Sequence, residues 1–71
     1  MKGGALFYNP ENDRMGIYFD DGTTESGLHC GDPMEVKVDG KWVSTRLEMS
    51  EQWYLVGIKD VDSIDGLKVR L

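Results

Sequence analysis

Apolar residues occupy alternate positions along most of the chain, and turn residues interrupt the alternation at short intervals. Met15, Ile17 and Phe19 share one phase of such a run, for example. A period of two places successive side chains on opposite faces of an extended strand. The i, i+3, i+4, i+7 spacing of an amphipathic helix does not occur in any segment. The pattern therefore predicts short antiparallel strands joined by turns.

The predicted strands cover residues 5–8, 15–19, 23–30, 34–38, 41–49, 53–58 and 67–71. Asp39-Gly40 predicts a two-residue type I′ hairpin turn between the fourth and fifth strands. Gly27 weakens the third strand and is typical of a bulge. Apolar residues on both faces of 53–58 predict a central strand, covered on both sides. Residues 60–66 are predicted to form a polar connection with room for one 3₁₀ turn.

Six to seven short strands in a chain of this length predict a single all-β domain over residues 1–71. Hairpin-connected strands hide their exposed edges by curling, so the expected fold is a small antiparallel β-barrel or roll of the SH3-like kind. A homodimer formed through edge strands is another way to cover the edges.

Thirteen acidic and eight basic residues give a net charge of −5, which disfavours nucleic acid and anionic lipid as general partners. The basic residues are scattered singly and form no stripe. Apolar runs are too short to cross a membrane, and the start of the sequence has no apolar signal segment. The lone Cys30 excludes an internal disulfide, and we expect a cytoplasmic protein.

Combinations of residues with catalytic or metal-binding chemistry are incomplete. His29 and Cys30 are adjacent, so on a strand they point to opposite faces, and a buried thiol beside a hydrogen-bonded imidazole is the favoured interpretation. Structural zinc needs about four Cys or His ligands, and the chain has two. Asp60, Asp62 and Asp65 do not match the spacing of a calcium loop, which favours a solvated turn.

An acid/base pair of Glu35 and Glu48 is conceivable on neighbouring strands. However, Glu35 lies on the polar phase of its strand, where a solvated carboxylate is expected. The sequence also has neither a nucleophile-elbow motif nor a phosphate-binding glycine loop. We therefore predict a protein that is not an enzyme and has no cofactor or metal.

Aromatic and charged residues around the fifth and sixth strands are the strongest candidates for a binding surface. Trp and Tyr, together with Arg, dominate interface hot spots because they combine apolar area with a directional polar group. The predicted binding residues are Trp42, Arg46, Glu48, Trp53, Tyr54 and Tyr18, with Tyr8 as a possible addition. The alternative is structural: both tryptophans anchor the core, and Arg46 stacks on Trp42 and pairs with Glu48.

The string from Gly40 to Glu48, the run Trp53 to Gly57 and Leu28-His29-Cys30-Gly31-Asp32 carry a resemblance to known proteins. Over residues 6–71 the chain resembles a family of small uncharacterised proteins from Gram-positive bacteria, whose members are often carried on conjugative elements or phages. The resemblance implies a bacterial, intracellular accessory protein. It transfers no catalytic residue.

These observations favour a non-enzymatic module that binds another protein through an exposed strand edge or aromatic patch. A nucleic-acid-associated factor that stacks bases on aromatic residues is the alternative. The alternative requires Arg14, Arg46, Lys37 or Lys41 to converge around a tyrosine or tryptophan. A hydrolase or redox protein is a third hypothesis, which requires His29 and Cys30 to share a pocket.

Overall fold

Seven strands form where the sequence alternates, in a computed structural model that describes residues 1–59 and 61–71. The strands are β1 (Gly3–Asn9), β2 (Arg14–Phe19), β3 (Thr24–Glu25), β4 (Pro33–Val38), β5 (Lys41–Met49), β6 (Trp53–Leu55) and β7 (Lys68–Arg70). The described residues contain no helix, which confirms the predicted all-β class. It follows that no described helix is long and apolar enough to span a membrane.

The strand order places the last strand in the middle of the sheet. All neighbours are antiparallel, and the order is β3-β2-β1-β7-β4-β5-β6. Val69 of β7 lies opposite Gly4 of β1 on one side and Val36 of β4 on the other. The sheet therefore consists of two three-stranded meanders that β7 joins.

The predicted hairpin turn between β4 and β5 is confirmed. Asp39 and Gly40 have φ values of 51° and 79°, and Val38 lies opposite Lys41. Positive φ at both central positions is the mark of a type I′ turn, whose twist matches that of the flanking strands. This two-residue turn sets the register of all the residue pairs between β4 and β5.

Two predicted strands are shorter than expected. The third was predicted over residues 23–30, but only Thr24–Glu25 pairs with β2, since the following residues cross from β2 towards β4. The sixth was predicted to be central over residues 53–58. It ends at Leu55 and lies at the edge of the sheet, because Gly57, with φ of 80°, turns the chain away.

The sheet curves around one core but does not close into the expected barrel. β3 and β6 form its two ends, and they do not pair with each other within the described residues. The buried residues are Leu6, Met15, Ile17, Leu28, Met34, Val36, Leu47, Leu55, Ile64 and Val69. Leu28 and Ile64 come from connecting segments and cover the core where the strands leave it open.

The connection before β7 is less polar than predicted. Asp60 lies outside the described residues, and residues 61–66 contain one bend, at Asp62, and a turn at Asp65-Gly66, without a 3₁₀ helix. Ile64 is only 4% exposed, so this segment contributes to the core. A single isoleucine among polar residues carries no periodic signal, which is why the pattern did not identify it.

Gly16 allows close packing on the outer face of the sheet, where the ring of Phe7 crosses it and stacks on Tyr18 at 4.1 Å. A Cβ at Gly16 would lie 2.4 Å from the carbonyl oxygen of Glu25 and 2.6 Å from the Phe7 ring. We expect Gly16→Ala to lower the free energy of unfolding by about 1–3 kcal/mol through overpacking. Urea denaturation measures the change. Gly27→Ala is the control, since a Cβ there meets its nearest atom at 3.8 Å, and an equal loss in both variants would contradict the packing argument.

Val69 is fully buried at the junction of the two meanders. Val69→Ala removes two methyl groups and leaves a cavity between strands, so we expect a loss of roughly 2–3 kcal/mol in the free energy of unfolding. Val43→Ala makes the same chemical change on β5 at a residue that is 37% exposed, and it should cost less than about 0.5 kcal/mol. Thermal and urea unfolding of both variants check the contrast.

Candidate functional site

A groove opens at one end of the core, between the β1–β2 hairpin and the β5–β6 hairpin. Its volume is about 410 Å³, and residues 63–65 of the segment before β7 complete its lining. We call this depression the hairpin groove. Its volume falls in the usual range for small-molecule and side-chain pockets, roughly 300–1,000 Å³.

The apolar surface of the hairpin groove continues the inward-facing phase of four strands. Tyr8 lies opposite Met15 across β1 and β2, and Met49 lies opposite Trp53 across β5 and β6. Met15 is buried, whereas Tyr8 is 41% and Met49 is 39% exposed. The groove is therefore the end of the hydrophobic core, left accessible where the two hairpin tips diverge.

One hydrogen bond links the two hairpins across the groove. The indole Nε1 of Trp53 donates to the backbone carbonyl of Asp13 at 3.2 Å. Asp13 adopts a left-handed conformation with φ of 56°, which an aspartate tolerates better than most residues. The β1–β2 turn thus holds its carbonyl towards β6, and Trp53 is fixed at both its apolar and its polar end.

The rim of the hairpin groove is acidic. Asp13, Glu51 and Asp65 line it, together with the neutral polar residues Gln52 and Ser63. Within the described part of the chain, the lining includes no lysine, arginine or histidine. The groove therefore joins an aromatic and apolar interior to a negatively charged margin.

Tyr8 organises two of these carboxylates. Its hydroxyl donates a hydrogen bond to Asp13 Oδ1, and its backbone N–H donates to Asp65 Oδ1 at 3.1 Å. The bond to the Asp13 carboxylate raises the pKa of Tyr8 above 10.0, with smaller contributions from desolvation and from the negative charge of Asp13. The phenol accordingly remains a donor throughout the neutral range.

A second cluster lies on the opposite, outer face of the sheet. The guanidinium carbon of Arg70 lies 4.3 Å from the centre of the Trp42 ring, and its Nε is 2.9 Å from Glu35 Oε1. Lys37 Nζ lies 5.7 Å from the same ring. These groups come from β4, β5 and β7, so their contacts link β7 to β4 and β5 on the outer face.

The structural interpretation placed both tryptophans in the core, and it is wrong for Trp42. Trp53 packs against the core cluster, whereas Trp42 is half-buried on the outer face. Arg70, not Arg46, stacks on the half-buried Trp42, because β7 places Arg70 opposite Glu35. Arg46 does form the predicted ion pair with Glu48, at 3.0 Å between Nε and Oε2. Sequence reasoning missed Arg70 because it assumed local pairing along β5 and had no signal for a central β7.

The six predicted binding residues do not form one site. Trp42, Arg46, Glu48, Tyr54 and Tyr18 belong to the outer phase of the sheet, whereas Trp53 belongs to the inner phase and lines the hairpin groove. Tyr54 of β6 lies opposite Glu48 of β5. Tyr18 is on β2, which four strands separate from Tyr54 on β6 in the strand order.

His29 and Cys30 are both exposed, which corrects the expectation of a buried thiol. The backbone N–H of His29 donates to Asp32 Oδ2 at 2.8 Å, as part of the turn that ends at Gly31. Among the described residues, no group of three or more His, Cys, Asp or Glu side chains is placed to hold a metal ion. The carboxylates of Glu35 and Glu48 each pair with an arginine, Arg70 and Arg46 respectively.

Comparison with known proteins identifies the family. A model of the domain of unknown function DUF5348 matches residues 4–71. The chain belongs to the DUF5348 family. The crystal structure of a protein from Ruminococcus gnavus is similar, with a TM-score of 0.87 and 48% sequence identity, covering 97% of this chain and 99% of that chain. Among curated proteins, none matches the sequence.

This result confirms the predicted resemblance to a family of uncharacterised proteins at the level of DUF5348. The Gram-positive origin and the association with mobile elements stay predictions.

The contact between Tyr8 and Asp13 is testable by titration. We expect the Tyr8 phenol to lose its proton above the ordinary value of 10.0, and Asp13→Asn to return its pKa towards that value. Asparagine also tolerates the left-handed backbone at this position. The ¹³Cζ chemical shifts of the tyrosines, followed by NMR against pH, report the change. Asp62→Asn is the control, and an unchanged Tyr8 titration in Asp13→Asn would contradict the assigned hydrogen bond.

The sign of the associated pH effect follows from the direction of this shift. The pKa of Tyr8 is higher in the folded state than its value of 10.0 in the unfolded chain, so the protonated phenol stabilises the fold. This contribution is fully present below pH 10.0 and disappears as the pH rises through the folded-state pKa. The Tyr8–Asp13 contact therefore has a constant effect on stability near neutral pH and weakens only in strongly alkaline solution.

Proposed function

We propose that this DUF5348 domain is a non-enzymatic protein-interaction module of the bacterial cytoplasm, of the type carried on mobile elements, and that it binds its partner in the hairpin groove. The proposal rests on the groove, where the exposed residues Met49 and Tyr8 lie next to Trp53 at the open end of the core. Aromatic residues and methionine are enriched at protein interfaces, and aromatic-lined grooves are a recurrent mode of peptide recognition.

The disposition of the reactive side chains supports a binding role over catalysis. His29 and Cys30 lie on an exposed loop and do not line the hairpin groove, and the Glu35 and Glu48 carboxylates are held by arginines. In the groove, the candidate acid or base groups are the rim carboxylates, two of which bond to Tyr8. The described lining of the groove offers carboxylates but no cysteine, histidine or lysine, which favours binding over nucleophilic catalysis.

A nucleic-acid-associated role is the alternative, and one observation favours it. Lys37 and Arg70 both approach the ring of Trp42 on the outer face. However, Glu35 neutralises Arg70, Arg46 pairs with Glu48, and Arg14 donates to the carbonyl of Leu28. The convergence of basic residues that this alternative requires is thus partial.

An affinity pull-down from a bacterial lysate tests the proposed function. Met49→Arg places a long charged side chain in the hairpin groove. Val43→Arg makes a similar change on the same strand and in the same inward phase, at 37% exposure against 39% for Met49, but outside the groove. We expect wild type and Val43→Arg to retain the same protein, also after nuclease treatment of the lysate. Met49→Arg should lose it. Circular dichroism verifies that all baits are folded.

A Trp42→Ala, Arg46→Ala double variant separates the two faces of the sheet. Retention of the partner by this variant supports the hairpin groove. Loss of a nuclease-sensitive complex in this variant alone supports the nucleic-acid alternative. Identical material on every bait would refute an interaction module that uses either face.

A further inference from the structure

The hairpin groove has a charge character that selects among protein partners. This inference rests on the proposed function and concerns the chemistry of the bound segment. Asp13, Glu51 and Asp65 surround an interior of aromatic and apolar side chains. In the described part of the chain, no basic side chain lines the groove to neutralise them. A segment that enters the groove therefore meets apolar contacts and uncompensated negative charge together.

Tyr8 and Trp53 suit a cationic side chain with an apolar stem. Lysine and arginine can lay their methylene groups along apolar surface while the charged end stays in water. Their cationic groups are also attracted to the faces of tryptophan and tyrosine rings. Tyr8 bonds to the Asp13 carboxylate and Trp53 to the Asp13 carbonyl, so both rings lie beside the rim residue Asp13. One basic residue can therefore contact apolar surface, an aromatic ring and a carboxylate.

The rim carboxylates differ in how much freedom they retain. Asp13 and Asp65 accept hydrogen bonds from Tyr8, which fixes their positions. Glu51 is exposed, and its side chain makes no hydrogen bond or ion pair with the rest of the described chain. Glu51 is thus the carboxylate best able to move towards a bound cation.

The charges of the chain argue against a second copy as the occupant. Each copy carries a net charge of −5, so two copies repel each other before contact. In each copy, three basic side chains already pair with carboxylates of the same chain: Lys2 with Asp21, Arg46 with Glu48 and Arg70 with Glu35. A nucleic acid would meet the same repulsion at the acidic rim.

We infer that the hairpin groove binds an extended segment of a partner protein in which a lysine or arginine is adjacent to an apolar residue. The apolar residue contacts Met49 and the floor of the groove, and the basic residue lies between the aromatic rings and the carboxylates. The apolar contacts supply affinity, and the charges supply selectivity and a faster encounter.

Selection of phage-displayed ten-residue peptides on the immobilised full chain tests this inference without knowledge of the natural partner. We expect the enriched peptides to share a lysine or arginine beside an apolar residue. A synthetic, fluorescein-labelled version of the most enriched peptide is the probe for anisotropy measurements. Its affinity should fall between about 50 mM and about 500 mM salt, because added ions screen exposed charges.

Two pairs of variants locate the binding and its charge dependence. Met49→Arg should weaken probe binding by tenfold or more, and Val43→Arg should leave it unchanged. Glu51→Lys should weaken it by roughly three- to tenfold, since it replaces an attraction at the rim by a repulsion. Glu25→Lys makes the same charge reversal at the opposite end of the core, outside the hairpin groove, and should have little effect.

The outcomes separate the inference from the proposed function. Peptides without a basic preference, lost with Met49→Arg but insensitive to Glu51→Lys and to salt, would overturn the charge selectivity and leave the interaction module standing. A basic peptide that binds equally to Met49→Arg would overturn the assignment to the groove. Failure to enrich any peptide would overturn the inference, and the pull-down would then decide the function independently. A dimer that Met49→Arg dissociates would identify a second copy as the occupant and also refute the inference.

Discussion

The pairing of β7 with both β1 and β4 is the interaction on which the rest of the structure depends. Each meander alone has only three strands and a few apolar side chains, too little to bury a core. All three residues of β7 pair with β1, Val69 and Arg70 also pair with β4, and Val69 joins the buried cluster. On the outer face, the same strand delivers Arg70 to Trp42 and Glu35. A very short strand thus contributes to the core on the inner face and to the Trp42 cluster on the outer face.

The hairpin groove follows from how the two meanders meet. They are joined through β7 in the middle of the sheet, and their hairpin tips are brought together around the end of the core without pairing. The bond from Trp53 to the carbonyl of Asp13 links the tips at one point and leaves the remaining apolar surface accessible. The groove therefore exists because the sheet does not close. A closed barrel would have no such opening.

Local features of the fold were predictable because they depend on neighbouring residues. Alternation identified most strands, and Asp39-Gly40 identified the hairpin turn. The central position of β7 was not predictable, since Val69 resembles any strand residue and its partners lie far away in sequence. The sixth strand was misplaced for the same reason. Its two-sided apolar pattern arises because Trp53 faces the groove while Tyr54 lies on the outer face.

The candidate site shows the same division between local and distant information. The ion pair of Arg46 with Glu48 could be predicted, because residues two apart on a strand share a face. Of the six predicted binding residues, Trp53 lines the hairpin groove, as does Tyr8, which was named as an addition to them; Met49 was missed. Its signal was present in the sequence, since Met49 shares the inward phase of β5 and continues beyond the core. What the sequence lacked was the position of the facing hairpin.

The position of β7 also has a consequence for the order in which the chain acquires its structure. The hairpins β1–β2 and β4–β5 consist of contacts between nearby residues, which form within about 1–10 μs but are only marginally stable in isolation. Their assembly must wait for β7, which is translated after the other six strands. Contacts such as Gly4 with Val69 span almost the whole chain, and such long-range closure slows folding. During synthesis the two meanders therefore remain unjoined, with strand edges open, until the last strand arrives.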